Sequence, residues 1–443
     1  MKTFSFAYKK HGGFSENLMQ TTAKKLDIYR KHLHKIARMG GYDEPDSAIN
    51  TAFDRTVFEE ARAAAKRFSN KHLRYVFLCG IGGSSMGTQA IYEAVYGQLN
   101  NYGNTYPKLI FLDTISGNVL TVAADLVKNI KRSDEFVLLF ISKSGKTTET
   151  LVNFEFLYSR VYKKFGRKAL ERVMIITDVG SKLWMEANER GFERLGIPEH
   201  VGGRYSIFTT VGLFPLMLAR IDVSELLKGA KQMRAQCLET SLQKNHAIAS
   251  AVALFLHWKN GIDIHNLFCF NPELESLGKW YRQLIAESVG KEYNLSGKKV
   301  CVGITPMVSV GSTDLHSLAQ LFFAGPRHTF TTFLLAPSTT SKKVLSLPKN
   351  LVFPSMVENI AGNSSDAIFE AIYHGVVATY KKLKLPYLEV ALAKINAYTL
   401  GQFLQMKMME VMYLAQLMNV NAFDQPNVEL YKKQTRQILQ KQR

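Results

Sequence analysis

Phe136-Val-Leu-Leu-Phe-Ile-Ser-Lys-Ser-Gly-Lys-Thr-Thr-Glu-Thr150 is the stretch that decides the fold. The six apolar residues Phe136 to Ile141 read as a strand buried on both faces. A turn rich in hydroxyls follows, with Ser142, Ser144, Thr147, Thr148 and Thr150, and with Lys143 and Lys146. An amphipathic helix then runs from Leu151 to about Phe165 and stops near Gly166. Hydroxyls, a glycine and a lysine at a helix N-terminus suit an anion, because free N–H groups and the helix dipole point at it. A plain Ser/Thr cap with solvated lysines is the competing reading, and five hydroxyls in nine residues exceed what a cap needs.

The same strand–turn–helix pattern extends to both sides. Strands are expected at Tyr75–Cys79, Leu109–Asp113 and Val173–Thr177, with helices at Thr88–Leu99 and Val119–Lys128 between them. Apolar strands alternating with helices predict a doubly wound parallel sheet, whose ligands sit at the carboxyl ends of strands. A second α/β run has expected strands Leu267–Phe270, Val300–Ile304 and Thr329–Leu335, and helices Glu273–Ser288, Leu315–Phe323 and Ser365–Leu383. Helices are also expected over Asn17–Met39, Thr56–Phe68, Leu388–Leu417 and from Val428 onward. The division expected is a helical segment over 1–70, α/β domains over 71–222 and 223–385, and a helical arm over 386–443.

The bulk numbers exclude several classes. A chain of 443 residues has room for two cores. No run reaches about 18 apolar residues, and MKTFSFAYKKHGGF has no apolar leader, so neither a membrane span nor a signal peptide is expected. Four cysteines form no CxxC pair, and three sit in apolar runs and read as packed thiols of a reducing, cytoplasmic compartment. The net charge of +19 raises a nucleic-acid role, but the charge is dispersed and no nucleic-acid motif is present. A solvated basic surface, or steering of anionic substrates, is the reading preferred.

Further stretches carry chemistry. Cys79-Gly-Ile-Gly-Gly-Ser-Ser85 follows a strand, but it lacks the third glycine of a dinucleotide fingerprint and the acidic residue about twenty positions on. Its glycines suit close backbone approach to a sugar or phosphate. His200-Val-Gly-Gly-Arg204 offers a fixed guanidinium fork for an oxyanion, or a surface ion pair. Gln283 and Glu287 share a helix face among Leu284, Ile285 and Val289, a setting that can move a carboxylate towards neutrality and suit a general base. An ion-paired Glu is the alternative. Gly311-Ser-Thr-Asp-Leu-His316 reads as a helix start with His316 in its first turn, where the dipole favours neutral imidazole. His32 and His34 point to different sides of a helix, and no ligand cluster has metal spacing. Phe423-Asp-Gln-Pro opens the last helix, with Lys432 further along it.

Taken in order, these stretches resemble the glucose-6-phosphate isomerase family. Four motifs agree in type and spacing from Gly80 to Lys432: GIGGS, SKSGxTxET, QLxAESxGK and FDQxxVExxK. The resemblance implies two three-layer sugar-isomerase domains and a homodimer, without metal, cofactor, nucleic acid or membrane. It implies reversible conversion of glucose 6-phosphate to fructose 6-phosphate through a cis-enediol, in glycolysis and gluconeogenesis. By the same resemblance Glu287 moves the proton, Arg204 stabilises the enediolate, and Lys432 opens the ring with His316 given by the neighbouring subunit. Ser84, Ser142, Lys143, Ser144 and Thr147 hold the phosphate, and Gly82, Gly83, Gly202, Gln283 and Gln425 line the sugar. The chain departs from the family at Lys146, Leu315, Asn427 and Tyr431. A sugar-phosphate sensor on the same domains is the alternative class; it needs only the phosphate cradle. Added activity on mannose 6-phosphate stays open.

Overall fold

The structure is a computed structural model that describes residues 4–337 and 345–441. In chain order its strands are β1 (Ser5–Ala7), β2 (Tyr75–Cys79), β3 (Lys108–Leu112), β4 (Phe136–Ile141), β5 (Val173–Asp178), β6 (Glu193–Ile197), β7 (Ile264–Cys269), β8 (Lys291–Tyr293), β9 (Lys299–Val302), β10 (Thr305–Val310), β11 (Thr329–Leu335) and β12 (Tyr387–Ala391). The first sheet has the order β3-β2-β4-β5-β6 and is parallel throughout. The second has the order β10-β7-β11-β12-β1, parallel except for β1, which runs against β12.

Both sheets are covered on both faces, which is why the inner strands of the first are apolar without alternation. Those of the second also bury polar side chains that find partners, such as His265 on Thr332 and Asn266 on Ser309. The alternation reappears in where side chains go. Along β4, Phe136, Leu138 and Phe140 pack into one layer, while Val137, Leu139 and Ile141 pack into the other. In the second sheet Phe268 and Phe270 face one layer, and Leu267 and Cys269 the other. The layer shared by the two sheets is one continuous core around helix Ala397–Met418, nearly all of which is buried. Such a helix is apolar all round because it has protein on every side. It lies against helix Val223–Cys237 at backbone contact: a Cβ on Gly229 would stand 1.9 Å from the Tyr398 carbonyl oxygen.

Three expectations are corrected. The segment from Leu388 does not start a helix: Tyr387–Ala391 pairs with β11, and the helix begins only after Asn396, which forms a capping box with Thr399. The span 386–443 is therefore not purely a helical arm, and 1–70 is not purely helical, because β1 completes the second sheet. The expected strand Val300–Ile304 is displaced. Lys299–Val302 instead pairs with β8 in a small hairpin, and the sheet strand is β10, which begins with Thr305-Pro306. Pro306 has no N–H, which an edge strand such as β10 can tolerate.

The strand order fixes where a ligand goes. From β2 the chain crosses to β3 on one side and then to β4 on the other. The carboxyl ends of β2 and β4 therefore flank the switch point of the sheet. The turns Gly80–Ser85 and Ser142–Thr147 are thus neighbours, although about sixty residues apart in the chain.

Candidate active site

The turn after β4 is built by its own hydroxyls. Ser142 Oγ and Thr147 Oγ1 stand 3.0 Å apart, and Gly145 N–H donates to Ser142 Oγ at 3.2 Å. Lys146 N–H donates to Ser144 Oγ at 3.3 Å. Gly145 has φ +68°, and Leu183 leaves no room for a Cβ there. Thr147 precedes helix Thr148–Phe165 but makes no side-chain cap bond. The hydroxyls are therefore not spent on capping, and the first N–H groups of an 18-residue helix open onto the turn. Ser144 and Lys146 are exposed.

Lys143 does not lie as the phosphate reading expects. Its ammonium donates to the carbonyls of Glu199 and Val201, the second at 3.1 Å. That segment leads into Gly202, Gly203 and Arg204. The other side of it meets the glycine turn after β2: a Cβ on Gly83 would lie 2.1 Å from the Gly203 carbonyl carbon. Ser84 ends the short 3-10 turn Gly82–Ser84 and is half-buried.

Arg204 is 3% exposed and lies at the centre of the cluster. Nε donates to Ser288 Oγ at 3.0 Å, and Nη1 to Gln425 Oε1 at 3.1 Å and Glu287 Oε2 at 3.4 Å. Nη2 reaches the carbonyls of Ala422 and Asp424. Glu287 Oε1 accepts from Gln283 Nε2 at 3.0 Å. Gln283 Oε1 is buried without a partner, and Gly82 faces the same amide: a Cβ there would lie 2.8 Å from Gln283 Nε2. Three distant parts of the chain thus meet: the turn after β6, helix Glu275–Val289 and the segment 422–425. The apolar setting expected for Glu287 is corrected. Leu284, Ile285 and Val289 are buried on other faces of the helix, while the Glu287 carboxylate is 28% exposed beside a guanidinium.

Sequence reasoning missed Lys291, Asp424, Ser288 and Tyr205. Lys291 closes the QLxAESxGK motif and is nearly buried; its ammonium binds the Asp424 carbonyl and, at 2.8 Å, the Asp424 carboxylate. Burial holds this ammonium below the ordinary lysine value, and the Asp424 bond opposes that. Tyr205 Oη stands 3.0 Å from Ser288 Oγ. The motif itself was the available signal: a lysine and an aspartate that recur inside two motifs of one site are candidates for each other. A cleft of about 680 Å³ opens beside Glu287, lined also by Lys291, Cys301, Asp424 and Gln425.

Two expected residues are not brought in. His316 is exposed and follows the 3-10 turn Thr313–Leu315, outside helix Ala319–Ala324, so it does not occupy the first helical turn expected for it. Asp314 is turned back on its own loop, accepting from Val310 N–H at 2.7 Å and Ser317 Oγ at 2.8 Å. Lys432 pairs with Glu429 at 2.7 Å on the exposed terminal helix Val428–Lys441. The fold also gathers His32, Glu44 and Asp46, which the sequence did not signal. Tyr29 holds Asp46, and none of the three bonds to the Arg204 cluster. Among the described residues no helix is long and apolar enough to cross a membrane.

Comparison with known proteins agrees with the motifs. The phosphoglucose isomerase family matches residues 47–443. A glucose-6-phosphate isomerase of Methanocaldococcus jannaschii is 35% identical over 359 residues, 81% of this chain and 82% of that protein. The crystal structure of a hypothetical protein from Thermus thermophilus superposes with a TM-score of 0.87 at 25% identity, over 99% of this chain and 100% of that one. A glucose-6-phosphate isomerase structure from Chlamydia trachomatis shares the fold, with a TM-score of 0.80 at 19% identity, over 99% of this chain and 89% of that one. With six stretches in family order and a family match over most of its length, the chain belongs to the phosphoglucose isomerase family.

Proposed function

We propose that this chain interconverts glucose 6-phosphate and fructose 6-phosphate, as a cytoplasmic enzyme of glycolysis and gluconeogenesis. The observation that carries the reading is the Glu287 carboxylate 3.4 Å from the buried Arg204 guanidinium, inside a family of isomerases. Moving a proton between C1 and C2 needs a carboxylate to take it and return it, and a cation at the oxygen that gains charge. In this reading Glu287 is the base and Arg204 the cation. The bond between them is long for a charged pair, so substrate can displace it at little cost. Gln283 presents its free Oε1 to a sugar hydroxyl, beside Gly82, Gly83, Gly202 and Gln425. Ser84, Ser142, Ser144, Thr147 and the N–H groups of helix Thr148–Phe165 take the phosphate, whose binding energy orients the distant carbons.

Ring opening is assigned to His316 and Lys432, in a homodimer where His316 comes from the neighbouring subunit. Its support is that His316 is exposed and bonded to nothing in its own cluster. Mixing Glu287→Gln with His316→Ala tests it. Each alone is inactive, and re-assorted heterodimers contain one intact site, returning roughly a quarter of wild-type activity. No recovery would mean that each site is built from one chain.

The primary test is turnover of fructose 6-phosphate by wild type and Glu287→Gln. The variant is expected to lose about 10²–10⁴ in kcat. Arg204→Ala is expected to lose about 10²–10³ in kcat rather than in KM. Wild-type turnover that survives Glu287→Gln removes Glu287 as the base.

A further inference from the structure

The ammonium of Lys143 sits in the phosphate turn, yet it is committed to the backbone carbonyls of Glu199 and Val201. These lie immediately before Gly202, Gly203 and Arg204. The main chain of Lys143 is itself anchored to the end of β5: its carbonyl accepts from Thr177 Oγ1 at 3.1 Å and from Asp178 N–H at 3.3 Å. The opposite side of the Arg204 segment is held by the other turn. Gly83 abuts Gly203, and Ser206 Oγ donates to the Gly83 carbonyl at 3.3 Å. The segment is therefore clamped between the two turns at the switch point, and Arg204 extends from the clamp towards Glu287.

We infer that Lys143 is a positioning residue for Arg204: by tying the Glu199 and Val201 carbonyls to the end of β4, it holds the Gly202–Arg204 turn in register with Glu287. Its charge is spent on this tie and not on the substrate's phosphate, which is left to the hydroxyls and helix N–H groups of the turn. A lysine suits the task because one ammonium offers three donors to carbonyls that diverge from a short loop. The inference rests on the isomerase reading of Arg204, and its experiment separates the two.

Four readouts are compared in wild type, Lys143→Met and Lys143→Arg: kcat and KM for fructose 6-phosphate, the competitive inhibition constant of inorganic phosphate, the melting temperature, and amide exchange over Gly202–Tyr205. Lys143→Met is expected to lower kcat about 10–100-fold, the scale of a displacement near 1 Å. Its phosphate inhibition constant stays within about twofold, because no phosphate contact is lost. Exchange over Gly202–Tyr205 accelerates, and Lys143→Arg restores most of kcat. A phosphate inhibition constant raised tenfold or more, with or without a fall in kcat, makes Lys143 a phosphate ligand and overturns the inference. Unchanged kcat with unchanged exchange overturns it too. If wild type fails to turn over fructose 6-phosphate, the isomerase reading falls, while amide exchange still reports whether the tie exists.

Discussion

Gly83→Ala puts the closest contact of the site to the test. A Cβ at Gly83 would lie 2.1 Å from the Gly203 carbonyl carbon and 2.2 Å from its oxygen. Ordinary contact begins near 3.4 Å, so the two backbones must part by about 1.3 Å. No flexible side chain stands there to yield; the obstacle is main chain on a clamped segment. Arg204 is the next residue, and its bonds to Gln425 and Glu287 are 3.1 and 3.4 Å long. A shift of that size takes both beyond hydrogen-bond range. The variant is expected to stay folded, with overpacking costing about 1–3 kcal/mol. Its kcat on fructose 6-phosphate falls by about 10²-fold, the scale for misplacing a reacting group by an ångström. The control is Gly203→Ala. The Cβ there would meet Gly83 Cα at 3.6 Å, an ordinary contact, and Gly203 is not among the glycines with positive φ. That variant is expected to lose less than about tenfold. A steady-state assay with urea unfolding on both proteins decides it. A Gly83→Ala enzyme with kcat within about threefold of wild type refutes the reasoning, because the backbone contact would then not govern Arg204.

Lys407 and Glu410 form a fully buried pair at 2.6 Å, and Tyr281 Oη donates to the same carboxylate at 2.6 Å. Lys407→Met leaves that charge uncompensated and is expected to cost about 3–5 kcal/mol by urea unfolding at neutral pH; a cost under about 1 kcal/mol would contradict the pairing. Burial pushes the Asp178 carboxyl up to about 6, against the pull of Lys143 and with the help of Glu199. A folded state that keeps a proton the unfolded chain has released loses stability as pH rises from about 4 to about 6. Asp178→Asn is therefore expected to stabilise the protein at pH 8, by about 1 kcal/mol or less because the side chain is only half-buried and solvent screens it. The gain disappears below about pH 4, and a gain that persists there would point to another cause. Lys146 is exposed, and only its backbone N–H is bonded within the turn. Lys146→Thr is expected to leave KM within about twofold and its salt dependence unaltered.

The strands β2 and β4 are legible from the sequence at their true limits, because they are buried on both faces and apolar at every position. β11 is legible at its limits too, through its threonines and phenylalanines, residue types that favour strands. β12 is not legible. Its Tyr-Leu-Glu-Val-Ala run carries Glu389, which is accommodated because Tyr373 from another helix donates to it. β1 is three residues long and exists only because β12 offers an edge. The residues of the site follow the same division. Gln283 and Glu287 are four apart on one helix, and a local spacing is enough to pair them. Lys143 reads as a phosphate ligand from its loop alone, and the carbonyls to which its ammonium donates in the structure are 56 and 58 residues away.

The sequence by itself determined the two α/β units, the hydroxyl turn at the end of β4, the Glu287 helix and the family to which they belong. The first three rest on periodicity, turn chemistry and spacing, which are properties of neighbouring residues, and the family rests on the resemblance of the ordered motifs and on the match to known proteins. Only the tertiary structure decided what each charge is for. Whether Lys143, Lys291 and Arg204 meet a carbonyl, a carboxylate or solvent depends on which distant segments the fold brings to them. A side chain's partner is set by that packing, since a long flexible cation takes whichever acceptor the fold places within about 3 Å of it.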